Sequence, residues 1–517
     1  MNLLPALLAL PLLLLASAGP DEAKAIRAFK KAFQSTAKRP KTTEDRQAAV
    51  ALLGDYDSKN VAKVLIAAYD DVETDVVVLD ELRMANLQEY KELQATLKKN
   101  GNRGSNEQIA RTRELWSGFA TSRAKVDKLR GLQFTVRRRI ERLKNPVGLT
   151  YALKTVIGKK KYSIGMQLTV ARTAGAAGVE MLDALTAALS RAKKVPAKLA
   201  LLNGIGLLGE AAKPAAPVVL KLLSDKDPEI NERAALAMSR MLIPDAIEPM
   251  INLMLRSEGA RKRRLAAALE VLTRKQFGAK ASTWQNWWAN EKDKYLSGSM
   301  PLGGGKISQH EKHNRDNYYF GIPQEGKAIM YIIDSSGSMK APVKLKVKGG
   351  TVVPGSSSDT TTRLEACKKE LIRALSRLDP KTQFNIIWYS MMPNIFRKSM
   401  SRASKPTVKT AQDWVRKLQP NGNTNIHDSM QMAFQRIGRG ARDKAYKVEL
   451  DTIFLLTDGT PTTPDGKFDS TEKIIKAVRE WNPLKRVTIH CIGIGNGLNA
   501  AFLSKLAREN GGEFKRY

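Results

Sequence analysis

The pattern that most restricts the fold is a continuous apolar run, Ala328–Ile333, followed at once by the polar segment 334–338, Asp-Ser-Ser-Gly-Ser. A strand buried on both faces reads as such a run, because neither side of its sheet contacts water. The polar segment then marks the carboxyl end of the strand. The run therefore predicts a central strand in a sheet that helices cover on both sides.

Further apolar runs alternate with helical patterns down to the last residues. The strand-like runs are Gln383–Tyr389, Thr452–Leu456 and Val487–Ile494. The helical patterns between and around them are Arg363–Leu378, Thr407–Leu418, Asn425–Ile437, Ser470–Trp481 and Ala500–Glu509. Strands alternating with helices predict a doubly wound α/β sheet, which binds its ligands beyond the carboxyl ends of the strands.

Oxygen-bearing side chains stand at these strand ends. Asp334, Ser336 and Ser338 close the first strand, Thr424 lies in a loop before a helix, and Asp458 follows another strand. None of the five offers a soft ligand, and oxygen-only sites suit hard divalent ions such as Mg²⁺. The sequence therefore predicts a metal site formed by these five residues.

These elements resemble the metal-ion-dependent adhesion site of the von Willebrand factor type A domain family, whose Asp-x-Ser-x-Ser, Thr and Asp-Gly elements occur here in the same order. The resemblance implies that Ser336, Ser338 and Thr424 bind the metal directly and that Asp334 and Asp458 act largely through water. The implied ion is Mg²⁺, with Mn²⁺ and Ca²⁺ as alternatives. It also implies that a carboxylate of a protein partner completes the coordination.

The resemblance covers residues 327–517 and has one departure, the long insertion Ala341–Thr362 between the first strand and the first helix. This insertion borders the metal face and could shape or cover it. An ion that only stabilises the fold, with no partner at that face, is the alternative to a binding site.

Catalysis fits the sequence poorly. Metal-assisted hydrolysis needs a base beside an activated water, and His427, the histidine close in sequence to a metal element, is predicted to lie on a helix surface. The sequence also lacks a Ser/His/Asp order, a phosphate loop and a dinucleotide fingerprint. We therefore expect a binding protein and not an enzyme, with a metal-dependent hydrolase as the less favoured reading.

The two cysteines, Cys367 and Cys491, occupy core-like positions in a predicted helix and a predicted strand. Buried free cysteines behave as small hydrophobes, which is the reading that we favour. A disulfide is the alternative, because an exported protein permits one.

The amino-terminal half is predicted to be all helical, with short helices over 19–75 and an antiparallel coiled-coil hairpin over 76–145. The two long helices of the hairpin are expected at about 76–99 and 107–144. Residues at the a and d heptad positions of the second helix are predicted to form the seam; they are Trp116, Phe119, Val126, Leu129, Val136, Ile140 and Leu143.

Residues 146–295 are predicted to form a helical solenoid, because the segment Pro217–Leu223 recurs 32 residues later as Pro249–Leu255. The units resemble degenerate HEAT or armadillo repeats, which present a surface to a partner or hold neighbouring domains apart. A cluster of tryptophans is expected to cap the last repeat, with a carbohydrate or base-stacking platform as the alternative; its members are Trp284, Trp287 and Trp288. Residues 296–326 follow as a linker, in which His310 and His313 are expected to be solvated.

Residues 1–18 read as a cleaved signal peptide, because the apolar run Leu3–Leu15 is followed by the small residues 16–18, Ala-Ser-Ala. The run contains prolines and is too short to span a bilayer. The protein is therefore expected to be secreted or periplasmic.

The formal charge of +35, from 86 basic and 51 acidic residues, is distributed over both halves of the chain. The basic runs lack the interleaved aromatic residues that stack on bases. We read them as solvated helix faces that argue against specific nucleic-acid binding. The alternative function that follows from the charge is a basic scaffold for polyanions or anionic envelope surfaces, with the metal structural.

Overall fold

The computed structural model describes residues 20–35, 39–101, 103–307, 317–348, 351–354, 360–437 and 449–517. The amino-terminal half is helical, and the carboxyl-terminal half is an α/β domain, which confirms the predicted fold class. The predicted signal peptide and the two linker histidines, His310 and His313, lie outside the described residues. Within the described residues, no helix has the length and apolarity needed to cross a membrane.

The chain begins with two short helices and a hairpin of two long ones: α1 (Pro20–Phe33), α2 (Thr43–Ala51), α3 (Lys59–Lys99) and α4 (Asn106–Ile140). Helix α3 begins well before the expected residue 76. The hydroxyl of Ser58 caps it by accepting the backbone N–H groups of Asn60 and Val61. Its buried stripe continues past residue 76, so the upstream segment and the hairpin arm are one helix.

Helices α3 and α4 pack antiparallel. Near the turn, Arg111 binds Glu89, and far from it, Gln133 contacts Glu73. Most of the predicted seam residues are buried, but Trp116 and Leu129 are only half-buried. Their places in the seam are taken in part by Leu115 and Leu132, which are buried.

The chain continues into a layered stack of helices: α5 (Pro146–Val156), α6 (Ile164–Ala177), α7 (Leu182–Arg191), α8 (Val195–Leu207), α9 (Ala216–Lys221), α10 (Pro228–Met241), α11 (Ile247–Leu255), α12 (Gly259–Thr273) and α13 (Ala281–Leu296). Helices α6, α8, α10 and α12 pack on one another in chain order. The crossing of α6 and α8 is close, because a Cβ on Gly175 would lie 2.1 Å from the carbonyl oxygen of Gly204. Glycine is therefore required at that crossing.

The tryptophan cluster lies on α13, which packs against α11. Trp284 and Trp288 are buried in the helical core, and Trp287 is partly buried against it. The indole N–H of Trp284 donates to the carbonyl of Gly278 at 2.8 Å. The two buried rings are thus part of the packing of the stack.

The α/β half contains the strands β1 (Tyr318–Tyr319), β2 (Ile322–Pro323), β3 (Ala328–Asp334), β4 (Pro342–Lys348), β5 (Thr351–Pro354), β6 (Thr360–Thr362), β7 (Gln383–Tyr389), β8 (Pro393–Ile395), β9 (Ser401–Arg402), β10 (Thr452–Thr457), β11 (Thr488–Gly493) and β12 (Phe514–Arg516). Its helices are α14 (Arg363–Ser376), α15 (Lys405–Arg416), α16 (Ile426–Met432), α17 (Thr471–Trp481) and α18 (Ala500–Glu509).

The central sheet has the order β12-β11-β10-β3-β7-β8, with β9 also paired to β7. Strands β3, β7, β10, β11 and β12 run parallel, whereas β8 and β9 are antiparallel to β7. Helices α16, α17 and α18 contribute to the core on one face, and α14 and α15 to the core on the other. Cys367 and Cys491 are free and buried in these two cores, as expected.

The hairpin packs along α16 and α17 of the α/β half. Arg123 reaches Asp469, just before α17 begins, and Arg137 pairs with Glu480 near the end of that helix. The hairpin turn therefore points toward the end of the sheet at which the parallel strands finish.

The prediction that His427 lies on a helix surface is wrong. Its imidazole is 1% exposed, because the hairpin covers it. Its Nδ1 lies 2.9 Å from Oδ1 of Asp428, and its Nε2 lies 3.1 Å from Nη1 of Arg130.

Candidate metal centre

The first predicted ligand element closes the central strand. Asp334 is the last residue of β3 and is fully buried. Its Oδ1 accepts the backbone N–H of Ser336 at 2.8 Å, and its Oδ2 accepts the hydroxyl of Thr457 at 2.7 Å. Tyr389 donates a longer bond of 3.4 Å to the same Oδ2. The carboxylate is therefore fixed by uncharged donors.

Backbone hydrogen bonds join the three loops that carry the predicted ligands. The N–H of Gly337 donates to the carbonyl of Gly422 at 2.8 Å, which ties the serine loop to the loop before α16. The N–H of Thr424 donates to the hydroxyl of Thr462 at 2.8 Å, and the N–H of Thr462 donates to the carbonyl of Thr424 at 2.9 Å. The loop that follows Asp458 is thereby tied to the threonine loop.

The predicted hydroxyl ligands converge. The Oγ atoms of Ser336 and Ser338 lie 3.0 Å apart, and Ser338 donates to Oδ1 of Asp458 at 2.7 Å. A Cβ placed on Gly459 would lie 3.5 Å from Oγ1 of Thr424 and 3.9 Å from Oγ of Ser338. The hydroxyls of Thr424 and Ser338 thus border the same small space, and the sequence-predicted residues lie together.

The electrostatics of this cluster favour a cation. Burial, and then the negative charge of Asp458, raise the pKa of Asp334 to about 6. A raised carboxyl pKa means that the ionised form lacks compensation in the protein as it stands. Asp458 is also buried, with 1% of its surface exposed.

The donor set fits a hard ion held mainly by hydroxyl groups. In the part of the chain that the structure describes, no cluster of three or more His, Cys, Asp or Glu side chains could hold a metal. Two carboxylates and three hydroxyls could, because Mg²⁺ and Ca²⁺ take oxygen ligands and Mg²⁺ commonly retains waters. The residues therefore suit a Mg²⁺-type site and not a zinc site of soft ligands.

The sequence reasoning missed one residue of the site, Arg363. Its Nη1 donates to Oδ2 of Asp458 at 2.7 Å, and its side chain is 17% exposed. Arg363 is the first residue of α14, where the helix dipole disfavours a positive charge. An arginine at the first position of a helix is unfavourable unless an acidic group lies nearby. Arg363 is therefore the signal in the sequence that could have indicated an acidic neighbour.

The insertion is a small antiparallel sheet in its described part, with the strand order β5-β4-β6. Strand β4 pairs with β6 so that Pro342 lies opposite Thr362, immediately before Arg363. The side chains of Val343 and Leu345 pack against the core on the α14 face. The insertion thus begins beside the serine loop and ends at the arginine that contacts Asp458.

Comparisons with known proteins agree with this architecture. Residues 352–515 match the family model of the von Willebrand factor type A domain. Inter-alpha-trypsin inhibitor heavy chain H4 of Homo sapiens is 29% identical over 218 residues, 42% of this chain and 21% of that protein. The same heavy chain of Sus scrofa is 31% identical over 191 residues, 37% of this chain and 18% of that protein.

The chain thus spans about a fifth of the length of these relatives. Among solved structures, a von Willebrand factor type A protein from Catenulispora acidiphila is 20% identical, covers 37% of this chain and 38% of its own, and has a TM-score of 0.29. The family match and the parallel sheet with helices on both faces together identify the carboxyl-terminal part of this chain as a von Willebrand factor type A domain.

Proposed function

We propose that this protein is an exported binding protein that uses a divalent cation, Mg²⁺ in the first instance, to capture an acidic residue of a protein partner. The ligands are Asp334, Ser336, Ser338, Thr424 and Asp458. The observation that carries the proposal is the convergence of buried carboxylates and hydroxyls at the carboxyl end of the sheet, with the pKa of Asp334 raised to about 6.

The bound cation would supply an open coordination position for a carboxylate oxygen. The chain's own residues fix the carboxylate of Asp334, because the hydroxyl of Thr457 and the backbone N–H of Ser336 both donate to it. The hydroxyls of Ser338 and Thr424 line the space in front of Gly459. Two carboxylates with mostly water-mediated contacts would leave the ion attractive to a further anion.

The hairpin supports the idea of an extended partner surface beside the metal face. The ammonium of Lys91 donates to the carbonyl of Pro393, the first residue of β8. Helix α3 continues to Lys99, which at 1.5 Å per residue carries it about 12 Å further. A partner bound at the metal would therefore meet the end of the hairpin, with the helical stack as a second surface.

A capture experiment tests this proposal. The full chain is immobilised and exposed to extracellular and envelope proteins in Mg²⁺, in EDTA and at raised salt. We expect a partner that is retained in salt, released by EDTA and not captured by Asp458→Asn. The control variant Asp413→Asn, which alters an exposed ion pair on α15, should capture as the unaltered chain does. Capture that survives both EDTA and Asp458→Asn would contradict the proposal.

A second candidate function is polyanion binding, and one groove of the helical stack favours it. The groove has a volume of about 540 Å³ and lies between the ends of α5 and α7 and the start of α8. No carboxylate is among the residues that line it, whereas cationic side chains are; they are Lys154, Lys159, Arg191, Lys193 and Lys194. Retention on an immobilised polyanion that falls steeply with salt, ignores EDTA and weakens in Lys193→Glu would support this function.

A further inference from the structure

The contact between the hairpin and the von Willebrand factor type A domain contains a buried network of charges. Both terminal nitrogens of Arg83 donate to Asp428, at 2.9 and 2.5 Å, and neither side chain is exposed. Arg123 donates to Oδ1 of Asp428 at 3.3 Å and to Oδ2 of Asp469 at 2.9 Å. Arginines from both arms of the hairpin thus end inside the neighbouring domain.

Asp428 belongs to the loop and helix that present Thr424. It lies in the first turn of α16, four positions after that threonine. The amide of Asn425, the intervening cap residue, donates to Oδ2 of Asp428 at 2.8 Å, and its oxygen accepts the N–H of Asp428 at 3.3 Å. Asn425, the residue next to Thr424, therefore couples the position of Asp428 to that of Thr424.

Asp469 belongs to the loop that follows Asp458. Its N–H donates to the carbonyl of Pro461 at 2.9 Å, and the neighbouring Thr462 exchanges hydrogen bonds with Thr424. Arg123 bridges Asp428 and Asp469, so it spans the two loops that carry Thr424 and Asp458. The serine loop, in contrast, is not part of this bridge.

Such a network holds its parts in one arrangement. Burying an unpaired arginine or carboxylate is costly, so each charge keeps its place only while its partners keep theirs. Burial alone would raise the pKa of Asp428, but the charges of Arg83 and Arg123 and the hydrogen bond with His427 together hold it well below its ordinary value. Docking of the hairpin and the positions of the two loops are consequently one cooperative unit.

We propose that Arg83 and Arg123 are positioning residues for the metal site, so that the docked hairpin holds Thr424 and Asp458 in the arrangement that receives the cation. This inference rests on the proposed metal site. By thermodynamic linkage, an ion bound there strengthens the docking of the hairpin by the same factor. The amino-terminal half is therefore a component of the binding site's geometry.

The test is a titration of the full chain with Mn²⁺, in which the electron paramagnetic resonance signal of the free ion reports how much Mn²⁺ is unbound. We expect Arg123→Gln to weaken Mn²⁺ binding by about tenfold, within the usual range of coupling between sites. The matched control is Arg137→Gln on the same helix, whose partner Glu480 lies at the other end of α17. Its affinity should remain within about twofold of the unaltered chain.

A second variant guards against misfolding. Arg123→Gln combined with Asp469→Asn removes both charges of one pair and leaves Arg83 with Asp428 intact; it should fold, as judged by circular dichroism, and still bind Mn²⁺ weakly. Affinity equal to that of the unaltered chain in a folded Arg123 variant would overturn the inference. Absence of Mn²⁺ binding by the unaltered chain would instead overturn the proposed metal site.

A reciprocal measurement does not depend on affinity. Hydrogen exchange of the hairpin segment around Arg83 and Arg123 should slow when Mn²⁺ is added to the unaltered chain. The same addition should leave exchange unchanged in Asp458→Asn. Exchange at the hairpin that ignores Mn²⁺ in a chain that binds the ion would contradict the linkage.

Discussion

Two buried aspartates of the same domain, Asp428 and Asp334, differ in how their negative charge is compensated. Asp428 and Asp469 are matched by arginines of the hairpin, and the pKa of Asp428 lies well below its ordinary value. Asp334 is fixed by uncharged donors near Asp458, and its pKa is raised to about 6. Asp428 and Asp334 are both completely buried, so the difference between their pKa values comes from the neighbouring charges.

The comparison separates structural charge from functional charge. Carboxylates that are fully matched inside the protein hold two domains together and have nothing left to bind. Carboxylates that are under-compensated destabilise their own ionised form, and a ligand cation relieves that cost. Four predictions, in order of decreasing effect, test whether Asp428 and Asp334 differ in this way.

The largest effect is expected from breaking the matched pair. Asp428→Ala leaves the guanidinium of Arg83 buried without its partner carboxylate, which should lower the free energy of unfolding by about 3 to 5 kcal/mol. Urea denaturation measures the loss. The exposed pair of Asp413 and Arg416 supplies the control, because Asp413→Ala should change stability by less than about 1 kcal/mol. Equal losses of unfolding free energy in Asp428→Ala and Asp413→Ala would show that the buried ion pair stabilises the protein no more than the exposed one.

The pH dependence of stability should report His427, which lies within the matched region. Burial, and then the charge of Arg123, lower the pKa of His427 to about 4, from an ordinary value of 6.5. The unfolded chain therefore binds the extra proton first as pH falls. The contribution of His427 to the free energy of unfolding should be constant above pH 6.5. Between pH 6.5 and 4 the free energy of unfolding should fall, by roughly 3 kcal/mol at most.

Denaturation curves at several pH values, for the unaltered chain and for His427→Gln, measure this contribution. The unaltered chain should lose more stability than the variant across that pH range. Parallel curves would show that the imidazole titrates with an ordinary pKa.

Asp334, the under-compensated carboxylate, should respond to metal. At a Mg²⁺ concentration 100 times its dissociation constant, binding should stabilise the unaltered chain by about 2.7 kcal/mol. Asp334→Asn removes a ligand and also a repelled charge, so it should abolish this gain without lowering the stability of the metal-free protein. Thermal denaturation with Mg²⁺ and with EDTA measures both effects. A retained Mg²⁺ shift in the variant would contradict the assignment of Asp334.

The smallest effect should come from Arg363, whose guanidinium occupies one oxygen of Asp458. Arg363→Gln removes a positive charge near the ion and should tighten Mg²⁺ binding by about 1 kcal/mol, roughly fivefold. Calorimetry measures the change. Arg377→Gln, an exposed position just after the same helix, should bind as the unaltered chain does. Weaker binding in Arg363→Gln would show that the arginine supports the site.

The sequence predicted the central sheet well, because a buried parallel strand appears in the sequence as a continuous apolar run. The bounds of β7 and α18 agree with the structure residue by residue. The short strands β8, β9 and β12 were missed, because two or three residues carry no periodicity. The upstream part of α3 was assigned to the short helices over 19–75, whereas in the structure it is continuous with the hairpin arm and begins after the cap residue Ser58.

The charged contacts between the domains were also not predicted. Arg83 lies on the buried stripe of α3, and Arg123 lies on that of α4, where a coiled-coil seam is normally apolar. This irregularity signals a polar partner, but a single sequence does not reveal that the partner lies more than 300 positions away. For the same reason His427 was placed at a surface that the hairpin covers.

The most direct test of the central claim is a calorimetric titration of the full chain with Mg²⁺ at pH 7.5. The account predicts one bound ion per chain, lost in both Asp334→Asn and Asp458→Asn and preserved in Asp413→Asn. Undiminished binding in both of the first two variants would contradict it, because the ion would then lie elsewhere.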